Sequence, residues 1–249
     1  MQARLTVSPA VSIVIPARDE AGAIASLLAE IEASPLGEPY EIVVVDDGST
    51  DGTAAAAMAS GVANLRVLRH AVAGGKSRAI RAGALAACGD IIVTVDGDGQ
   101  NDPRHLSDLV EPLLADPRVG IVAGQRIRRH DGWAKKAGSR LANRMRRALL
   151  ADDTRDTACG LKAMRRAPYL ALPTFDNNHR FLPALFLYDG WRIAHVPVAD
   201  RPRTTGRSKY GMVDRALVGL PDLLGVYWLR RRSACRPTVV EVTPEDADV

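Results

Sequence analysis

The chain is poor in cysteine and has no long apolar run among its 249 residues. Its cysteines are Cys88, Cys159 and Cys235, an odd number without a CxxC pair, which excludes a disulfide framework. Every apolar run falls short of the ~20 residues that span a bilayer. The early apolar stretch 11–17 is also too short for a signal peptide and runs directly into charged residues. These absences favour a protein of the reducing cytoplasm.

Aromatic residues are also scarce, at 4% of the chain. This low content argues against a module that stacks on single-stranded nucleic acid, and no nucleic-acid partner is expected. No GxGxxG follows the first predicted strand, which disfavours a dinucleotide-dependent dehydrogenase.

The bulk composition, with 47% hydrophobic and 25% charged residues, is typical of a globular protein with one large core. The net charge of +4 is unevenly distributed: residues 1–124 carry −7, residues 125–150 carry +8, and residues 151–249 carry +3. The basic segment 125–150 predicts attraction to anions or to an anionic membrane surface. A merely solvated basic face is the alternative.

Apolar runs rich in Val and Ile alternate with helix-like segments in the first half of the chain. Strands are predicted at 11–17, 40–47, 65–70 and 90–98, and helices at 21–34, 50–60, 75–89 and 104–116, with Gly89 as a C-terminal cap. This alternation predicts an α/β fold with a mostly parallel central sheet flanked by helices. Ligands bind beyond the carboxyl ends of such strands, which is where the acidic residues fall: Asp19, Asp46, Asp47, Asp96 and Asp98.

The second half of the chain is less regular, with predicted strands at 120–126 and 191–198 and a basic amphipathic helix at 139–150. The last predicted helix, 213–232, has an apolar face and ends in an arginine cluster. It contains charged residues and a proline, so an interfacial helix and a core helix are the two interpretations. The acidic tail 233–249 is expected to be flexible.

The stretch VTVDGDGQNDP, residues 93–103, places carboxylates directly after a buried strand. Asp96, Asp98 and Gln100 alternate along the chain, so an extended backbone would point their side chains to one side. Clustered carboxylates repel one another, and oxygen ligands of this kind suit Mg²⁺ or Mn²⁺. A divalent cation there would stabilise a departing nucleotide diphosphate. Taken alone, the same residues also fit a loop of capping and turn residues.

Several segments occur in a fixed order: VSIVIPARDEAGAI, EIVVVDDGSTDGT, GKSRAIRAGALAACGDIIVTVDGDGQNDP, VAGQR and RPRTTGRSKYG. Together they closely resemble family-2 glycosyltransferases with the GT-A fold, and among these the polyprenyl-phosphate glycosyltransferases of the dolichyl-phosphate mannosyltransferase type. The resemblance implies a metal-dependent, inverting hexosyltransferase. It also implies one GT-A domain over residues 1–232, with a nucleotide-sugar half (1–124), an acceptor half (125–212) and an interfacial helix (213–232).

The resemblance further implies roles for individual residues. The metal ligands would be Asp96, Asp98 and Gln100, with Asp96 also close to the nucleotide. The donor would be held by Pro16, Arg18, Glu20, Asp47, Lys76 and Asp96, and by a closing loop with Arg203, Arg207, Ser208 and Lys209. Glu20 would accept from the ribose hydroxyls and Asp47 would contact the base. Lys76 and Arg78 open a helix, whose amino end favours an anionic ligand. A plain helix start is the alternative for these two residues.

On the acceptor side, the resemblance assigns Arg126 and Arg140 to the lipid phosphate and places Asp156 where some relatives have a catalytic carboxylate. A phosphate monoester is already an oxyanion at neutral pH, since its second pKa is about 6, so a general base would contribute little. Asp156 is therefore either a base or a structural partner of the arginines. The rival enzyme transfers sugar to a saccharide or lipid hydroxyl and needs the Asp156 base. A non-catalytic nucleotide-sugar sensor is a third interpretation, which the intact DxDxQ array disfavours.

The partners implied are a nucleotide-sugar donor and a polyprenyl-phosphate acceptor of the undecaprenyl or dolichyl type. We expect peripheral association with the anionic inner face of the cytoplasmic membrane. Segment 125–150 and helix 213–232 would supply the docking surface, because each basic residue near such a surface contributes ~1 kcal/mol.

Overall fold

The computed structural model describes residues 9–34, 36–127, 146, 149–201 and 212–232, with the side chains of the last range described from residue 219. The strands are β1 (Val11–Ala17), β2 (Tyr40–Asp46), β3 (Leu65–Arg69), β4 (Ile91–Thr94), β5 (Val119–Arg126), β6 (Lys162–Arg165) and β7 (Arg192–Val198). The helices are α1 (Ala21–Glu32), α2 (Thr53–Ala59), α3 (Lys76–Ala86), α4 (Leu106–Ala115), α5 (Arg166–Ala171), α6 (Leu182–Tyr188) and α7 (Met212–Arg232). Two 3₁₀ turns cover Pro103–His105 and Asn178–Arg180.

The strands form one seven-stranded sheet with the order β3-β2-β1-β4-β6-β5-β7. β6 pairs antiparallel with β4 and β5, and the other neighbouring strands pair in parallel. The predicted α/β fold with a mostly parallel sheet is confirmed. We call the edge at which the parallel strands end the carboxyl edge. Because β6 runs against its neighbours, its first residue, Lys162, lies at this edge, opposite Thr94 of β4 and Ala123 of β5.

Helices cover both faces of the sheet, and the alternation of side chains along β1 shows how the core is divided. Val11, Ile13 and Ile15 belong to the buried cluster that contains residues of α1, α2 and α4. Val14 belongs to the opposite cluster, with residues of α3, α5, α6 and α7. Successive residues of a strand point to opposite faces, so one strand contributes to both halves of the core.

Helix α7 combines a buried face with an exposed one. Leu223 and Val226 are buried, whereas Leu220, Leu224 and Trp228 are 53%, 54% and 58% exposed. The exposed residues are spaced by four and therefore share one side of the helix, which we call the α7 stripe. The core interpretation holds for the buried face, and the interfacial interpretation stays a prediction for the α7 stripe. Within the described parts of the chain, no helix combines the length and apolarity needed to cross a bilayer.

The prediction that Gly89 caps the preceding helix is wrong. Helix α3 ends at Ala86, and its C-cap, Ala87, is extended with φ −63° and ψ 144°. Gly89 is instead required by a close approach between backbones, because a Cβ at this position would lie 2.8 Å from the carbonyl carbon of Val11. The glycine therefore lets the chain turn into β4 beside the start of β1.

Candidate active site

Charged residues from separate strands meet at the carboxyl edge. Asp46 ends β2 and Asp47 follows it, Asp96 follows β4 by two residues, Arg126 ends β5, and Asp200 follows β7. The carboxyl edge of an open α/β sheet is where ligands bind, because the loops there leave a crevice. The residues predicted from the ends of β2, β4 and β5 are therefore brought to one side of the molecule.

The turn after β1 is tied to the loop after β2 by hydrogen bonds that satisfy the amino end of α1. The N–H of Asp19 donates to Ser49 Oγ at 2.9 Å, and the N–H of Ala21 donates to Asp51 Oδ2 at 3.0 Å. The N–H of Glu20 donates to Thr53 Oγ1 at 2.9 Å. The backbone that carries Arg18 and Glu20 thus has a fixed position beside the end of β2. Pro16 is the penultimate residue of β1.

Asp47 organises the turn that leads into α3. Its carboxylate accepts the N–H groups of Gly74 and Gly75 at 2.7 and 2.8 Å, and Nδ1 of His70 lies 2.7 Å from the same group. Burial raises the pKa of Asp47, but the Gly74 N–H, His70 and the Gly75 N–H outweigh it and hold the pKa below its ordinary value. Asp47 is therefore an ionised, buried anchor for the loop on which α3 and Lys76 are placed.

Asp96 lies between a cation and a glycine. Its carboxylate forms an ion pair with Nζ of Lys76, the first residue of α3, and its N–H donates to Asn101 Oδ1 at 2.9 Å. On another side lies Gly160, where an added Cβ would fall well inside van der Waals contact with the Asp96 carboxyl group. The side chain of Asp96 thus occupies space that only a glycine at position 160 leaves available.

The acidic loop after β4 is joined to the chain that leaves β7. Asp98 is buried and its Oδ1 accepts the N–H of Gln100 at 3.2 Å. The backbone oxygen of Gln100 accepts the N–H of Arg201 at 3.0 Å, and Asn101 and Asp200 form an antiparallel bridge. The predicted metal ligands are therefore held next to the residues that precede the predicted closing loop.

Ion pairs of Asp102 strengthen the connection between the loop after β4 and the chain that leaves β7. Its carboxylate pairs with the guanidinium of Arg104, at 2.6 Å, and with Nη2 of Arg201, at 2.8 Å. The hydrogen bond from Arg104 is the main reason why the pKa of Asp102 lies well below its ordinary range, and Arg201 lowers it further. Arg201 also pairs with Glu30 of α1. These contacts give Asp102 a structural role in the loop.

The residues of this loop offer oxygen ligands of the type that Mg²⁺ and Mn²⁺ prefer. The carboxylates of Asp96 and Asp98 and the side-chain amide of Gln100 come from one short loop, whose backbone is fixed by Asn101 and Arg201. Among the described residues, no group of three His, Cys, Asp or Glu side chains is arranged to hold a metal ion. The oxygens of these three side chains fit a cation that keeps several water ligands, as Mg²⁺ usually does.

Across the carboxyl edge, Arg126 lies between two carboxylates. Its Nε and Nη2 donate to Asp156 at 2.6 and 3.0 Å, and its Nη1 donates to Asp200 at 3.1 Å. Burial lowers the pKa of Arg126, but its ion pairs with Asp156 and Asp200 raise it well above the usual value. Burial also raises the pKa of Asp200 above its ordinary value, despite the attraction of Arg126. The structure thus pairs Asp156 with Arg126, which is the contact expected of Asp156 as a structural partner of the arginines.

Sequence patterns did not indicate two basic residues near Lys76, namely Lys162 and His179. Lys162 is fully enclosed, and its Nζ donates to the backbone oxygens of Cys159 and Thr157 in the turn before β6. Burial lowers the pKa of Lys162 to about 8. His179 is hydrogen-bonded through Nδ1 to Ser77 Oγ at 2.8 Å, one residue after Lys76. Burial and then the charges of Lys76 and Lys162 hold the pKa of His179 well below its usual value, so its ring is neutral at pH 7.

The sequence of β6 does not indicate that Lys162 belongs to the site, because this strand has only four residues and no alternating pattern of apolar residues. Asp200 could have been found, because it follows a predicted strand in the same way as Asp47 and Asp96 do. Some predicted site residues lie outside the described part of the chain: Arg140, Arg203, Arg207, Ser208 and Lys209.

Solved structures share this arrangement of strands, helices and carboxyl edge. Glucosyl-3-phosphoglycerate synthase from Mycobacterium tuberculosis, solved with Mn²⁺, UDP and glucosyl-3-phosphoglycerate, matches with a TM-score of 0.70 and 24% identity over 89% of this chain and 80% of that one. Mannosyl-3-phosphoglycerate synthase from Rubrobacter xylanophilus matches with a TM-score of 0.70 and 20% identity over 95% of this chain and 79% of that one. The fold is therefore the GT-A fold.

Sequence similarity assigns the chain to a family within this fold. It belongs to glycosyl transferase family 2, whose model matches residues 12–172, and this confirms the family expected from the ordered motifs. The undecaprenyl-phosphate 4-deoxy-4-formamido-L-arabinose transferase of Serratia proteamaculans is 34% identical over 209 residues, which are 82% of this chain and 63% of that protein. The protein of the same name from Aeromonas hydrophila is 32% identical over 211 residues, with the same shares covered. The chain thus spans less than two thirds of the length of these relatives.

Proposed function

We propose that this protein is an inverting glycosyltransferase that moves a sugar from a nucleotide-diphosphate sugar to a polyprenyl phosphate. The observation that carries the proposal is the placement of Asp96 with Lys76, and of Arg126 with Asp156, at one carboxyl edge. Both relatives named above act, by name, on undecaprenyl phosphate. One GT-A domain over residues 1–232 would contain a donor half, 1–124, and an acceptor half, 125–212.

The donor half would hold the nucleotide between the ends of β1 and β2. Pro16 of β1 and the turn residues Arg18 and Glu20 would line this site, with Glu20 accepting from the ribose hydroxyls. Asp47 would meet the base from the buried anchor position that it occupies beside Gly74 and Gly75. The amino end of α3 adds unpaired N–H groups and the Lys76 ammonium, a combination that favours a diphosphate.

A divalent cation, Mg²⁺ or Mn²⁺, would be held by Asp96, Asp98 and Gln100. When bound, it would stabilise the negative charge that develops on the departing nucleotide diphosphate. Arg203, Arg207, Ser208 and Lys209 would close over the same diphosphate. Arg201, which precedes this segment in the chain, donates its backbone N–H to the backbone oxygen of Gln100, one of the proposed ligands. Planar guanidinium groups suit this task because they bind phosphate oxygens through two hydrogen bonds.

The acceptor half would present the lipid phosphate to the anomeric carbon in line with the leaving group. Arg126 and Arg140 would orient this oxyanion, which needs no deprotonation at neutral pH. Asp156 would act as a positioning residue, since it holds the guanidinium of Arg126 through two hydrogen bonds. Within the described part of the chain, Arg126 donates three hydrogen bonds to these carboxylates, whereas a guanidinium has five N–H groups to offer.

A second candidate is transfer to a saccharide or lipid hydroxyl, and the environment of Asp200 favours it. Burial raises the pKa of Asp200, and the charges of Asp156 and Asp98 act in the same direction. A carboxylate with a raised pKa is a better proton acceptor, so Asp200 could serve as the base that a hydroxyl nucleophile requires.

We further propose that the protein docks peripherally on the anionic inner face of the cytoplasmic membrane. The α7 stripe would enter the interface, and the arginines that end α7, Arg230, Arg231 and Arg232, would face the lipid head groups. A helix with exposed apolar side chains beside a basic cluster is typical of interfacial binding. Docking of this kind would bring a membrane-embedded lipid phosphate to the acceptor half.

The test is an incubation of the purified protein with undecaprenyl phosphate and a panel of radiolabelled UDP- and GDP-sugars, with Mg²⁺ or Mn²⁺. We expect label in an organic-extractable product and no such product with EDTA. The matched control acceptor is undecaprenol, which has the same chain and a hydroxyl in place of the phosphate. Label on undecaprenol at an equal rate would favour the second candidate, and no transfer from any sugar nucleotide to either lipid would contradict the proposal.

A further inference from the structure

A positively charged side chain of the protein already occupies the Asp96 carboxylate. Lys76 reaches from the first residue of α3, and its ammonium forms an ion pair with Asp96 Oδ1. The position of Asp96 is fixed by the bond from its N–H to Asn101 and by the close approach of Gly160. Lys76 is fixed less tightly, because it sits on a flexible four-carbon stem at a helix start and its side chain is one-third exposed.

A divalent cation at Asp96 and the ammonium of Lys76 would compete for the same carboxylate oxygens. Two cations that share one carboxylate also repel each other, and this repulsion is strong in a partly buried site. Lys162 adds a further positive charge that acts on the same region. The protein without nucleotide should therefore bind a divalent cation weakly at this site.

A nucleotide diphosphate changes this balance. It brings negative oxygens to the amino end of α3, where the ammonium of Lys76 can pair with phosphate without leaving its own helix turn. The Asp96 carboxylate is then available to the metal, which also gains ligands from the diphosphate. Binding of nucleotide and binding of cation would consequently favour each other, and linkage requires the effect to be equal in both directions.

We propose that Lys76 is an exchangeable internal cation that occupies Asp96 in the absence of donor and transfers to the donor diphosphate when the nucleotide and metal bind. The inference rests on the proposed function, since it takes the Asp96 loop to be the cation site. It adds a specific task for Lys76: the site excludes free divalent cations and admits them together with a diphosphate.

The experiment measures Mn²⁺ binding by electron paramagnetic resonance of free Mn²⁺, with and without UDP or GDP, so that no turnover is needed. The variants are Lys76→Met and Lys76→Gln, which remove the charge, and Lys76→Arg, which keeps it. Arg81→Met is the matched control, because Arg81 lies on the same helix and donates to the backbone oxygens of Tyr169 and Leu170. Circular dichroism checks that each variant is folded. Two neutral replacements are used so that one remains for the test if the other does not fold.

Without nucleotide, we expect Lys76→Met or Lys76→Gln to bind Mn²⁺ at least about fivefold more tightly than the wild type, a coupling of ordinary size. Lys76→Arg and Arg81→Met should remain within about twofold of the wild type on the same scale. The increase in Mn²⁺ affinity caused by UDP or GDP should be smaller in the neutral variants than in the wild type.

Two other results have distinct meanings. If the neutral variants gain no more Mn²⁺ affinity than Arg81→Met, while nucleotide still promotes Mn²⁺ binding to the wild type, the exchange by Lys76 is overturned and the proposed function stands. If Mn²⁺ binds neither the wild type nor the variants even with UDP and GDP, the cation site of the proposed function is itself contradicted, and the inference falls with it.

Discussion

Arg126 holds Asp156 through two hydrogen bonds, from Nε to Oδ2 at 2.6 Å and from Nη2 to Oδ1 at 3.0 Å. This fork-to-fork pair keeps both oxygens of the carboxylate on the guanidinium. A carboxylate in this arrangement is better suited to fixing an arginine than to accepting a proton from an acceptor hydroxyl. Replacing Asp156 therefore distinguishes the two candidate acceptors, because a hydroxyl acceptor needs a carboxylate base and a phosphate acceptor does not.

We expect Asp156→Asn to retain transfer to undecaprenyl phosphate within about tenfold, because a phosphate oxyanion needs no base. Arg126→Ala should lose at least about 10²-fold, since it removes a preorganised group for the acceptor charge. Initial rates with saturating donor check both. A loss of about 10²–10⁴-fold in Asp156→Asn, the usual contribution of a general base, would instead support a hydroxyl acceptor.

Gly160→Ala should impair catalysis more than stability. The new Cβ overlaps the Asp96 carboxyl group, so Asp96 must move, and a displacement of about 1 Å at a reacting centre can cost about 10²-fold. The rate of sugar transfer and the urea midpoint are the two measurements. Gly225→Ala is the matched control, because a Cβ there meets no atom within 4 Å. Equal rates for the two variants would show that the position of Asp96 is unimportant.

The lowered pKa of Lys162 predicts that the folded protein becomes more stable as the pH rises in the alkaline range. Its folded pKa is about 8, whereas a lysine in the unfolded chain has a pKa of ~10.4. Between these values the unfolded state binds more protons, so the free energy of unfolding increases as pH rises, by about 3 kcal/mol at most. Urea unfolding at intervals from pH 7.5 to 10.5 measures this slope. The slope should be absent in Lys162→Met, and a slope shared by both proteins would assign it to another group.

The α7 stripe predicts binding to anionic vesicles. Leu224→Ser with Trp228→Ser should weaken binding to vesicles of phosphatidylglycerol by at least about tenfold, because each inserted apolar side chain contributes about 1.5–3 kcal/mol. Sedimentation with vesicles at low and high salt measures it, and high salt should weaken wild-type binding. Leu114→Ser is the control, since Leu114 is 54% exposed on α4, outside the stripe. Wild-type protein that ignores the vesicles at low salt would contradict membrane docking.

The strands and helices that the sequence predicts correctly are those with strong local patterns. β1 and β2 are largely buried strands rich in Val and Ile, and α1 places its apolar residues on one face, so each is defined by its own residues. β6 was missed for the opposite reason. Its four residues form a strand because β4 and β5 pair with them from both sides, and such pairing has no local signature.

The same distinction holds for the candidate site. Asp96 and Asp98 follow an obvious strand, which is why their position at the carboxyl edge could be predicted. The contacts of Asp96 with Gly160 and of Asp156 with Arg126 depend on the reversed direction of β6, which brings the segment before that strand to the same edge. Lys162 was missed with its strand, because a lysine at the start of an unrecognised strand resembles any surface lysine.

Cation-assisted departure of a nucleotide diphosphate is the central claim, and Asp98 tests it most directly. The measurement compares the rates at which wild type and Asp98→Asn transfer labelled sugar to undecaprenyl phosphate, with saturating donor and Mg²⁺ or Mn²⁺. The account predicts a loss of at least about 10²-fold in the variant, because an amide is a poorer ligand for a hard cation than a carboxylate. A folded Asp98→Asn protein that turns over at the wild-type rate would contradict it.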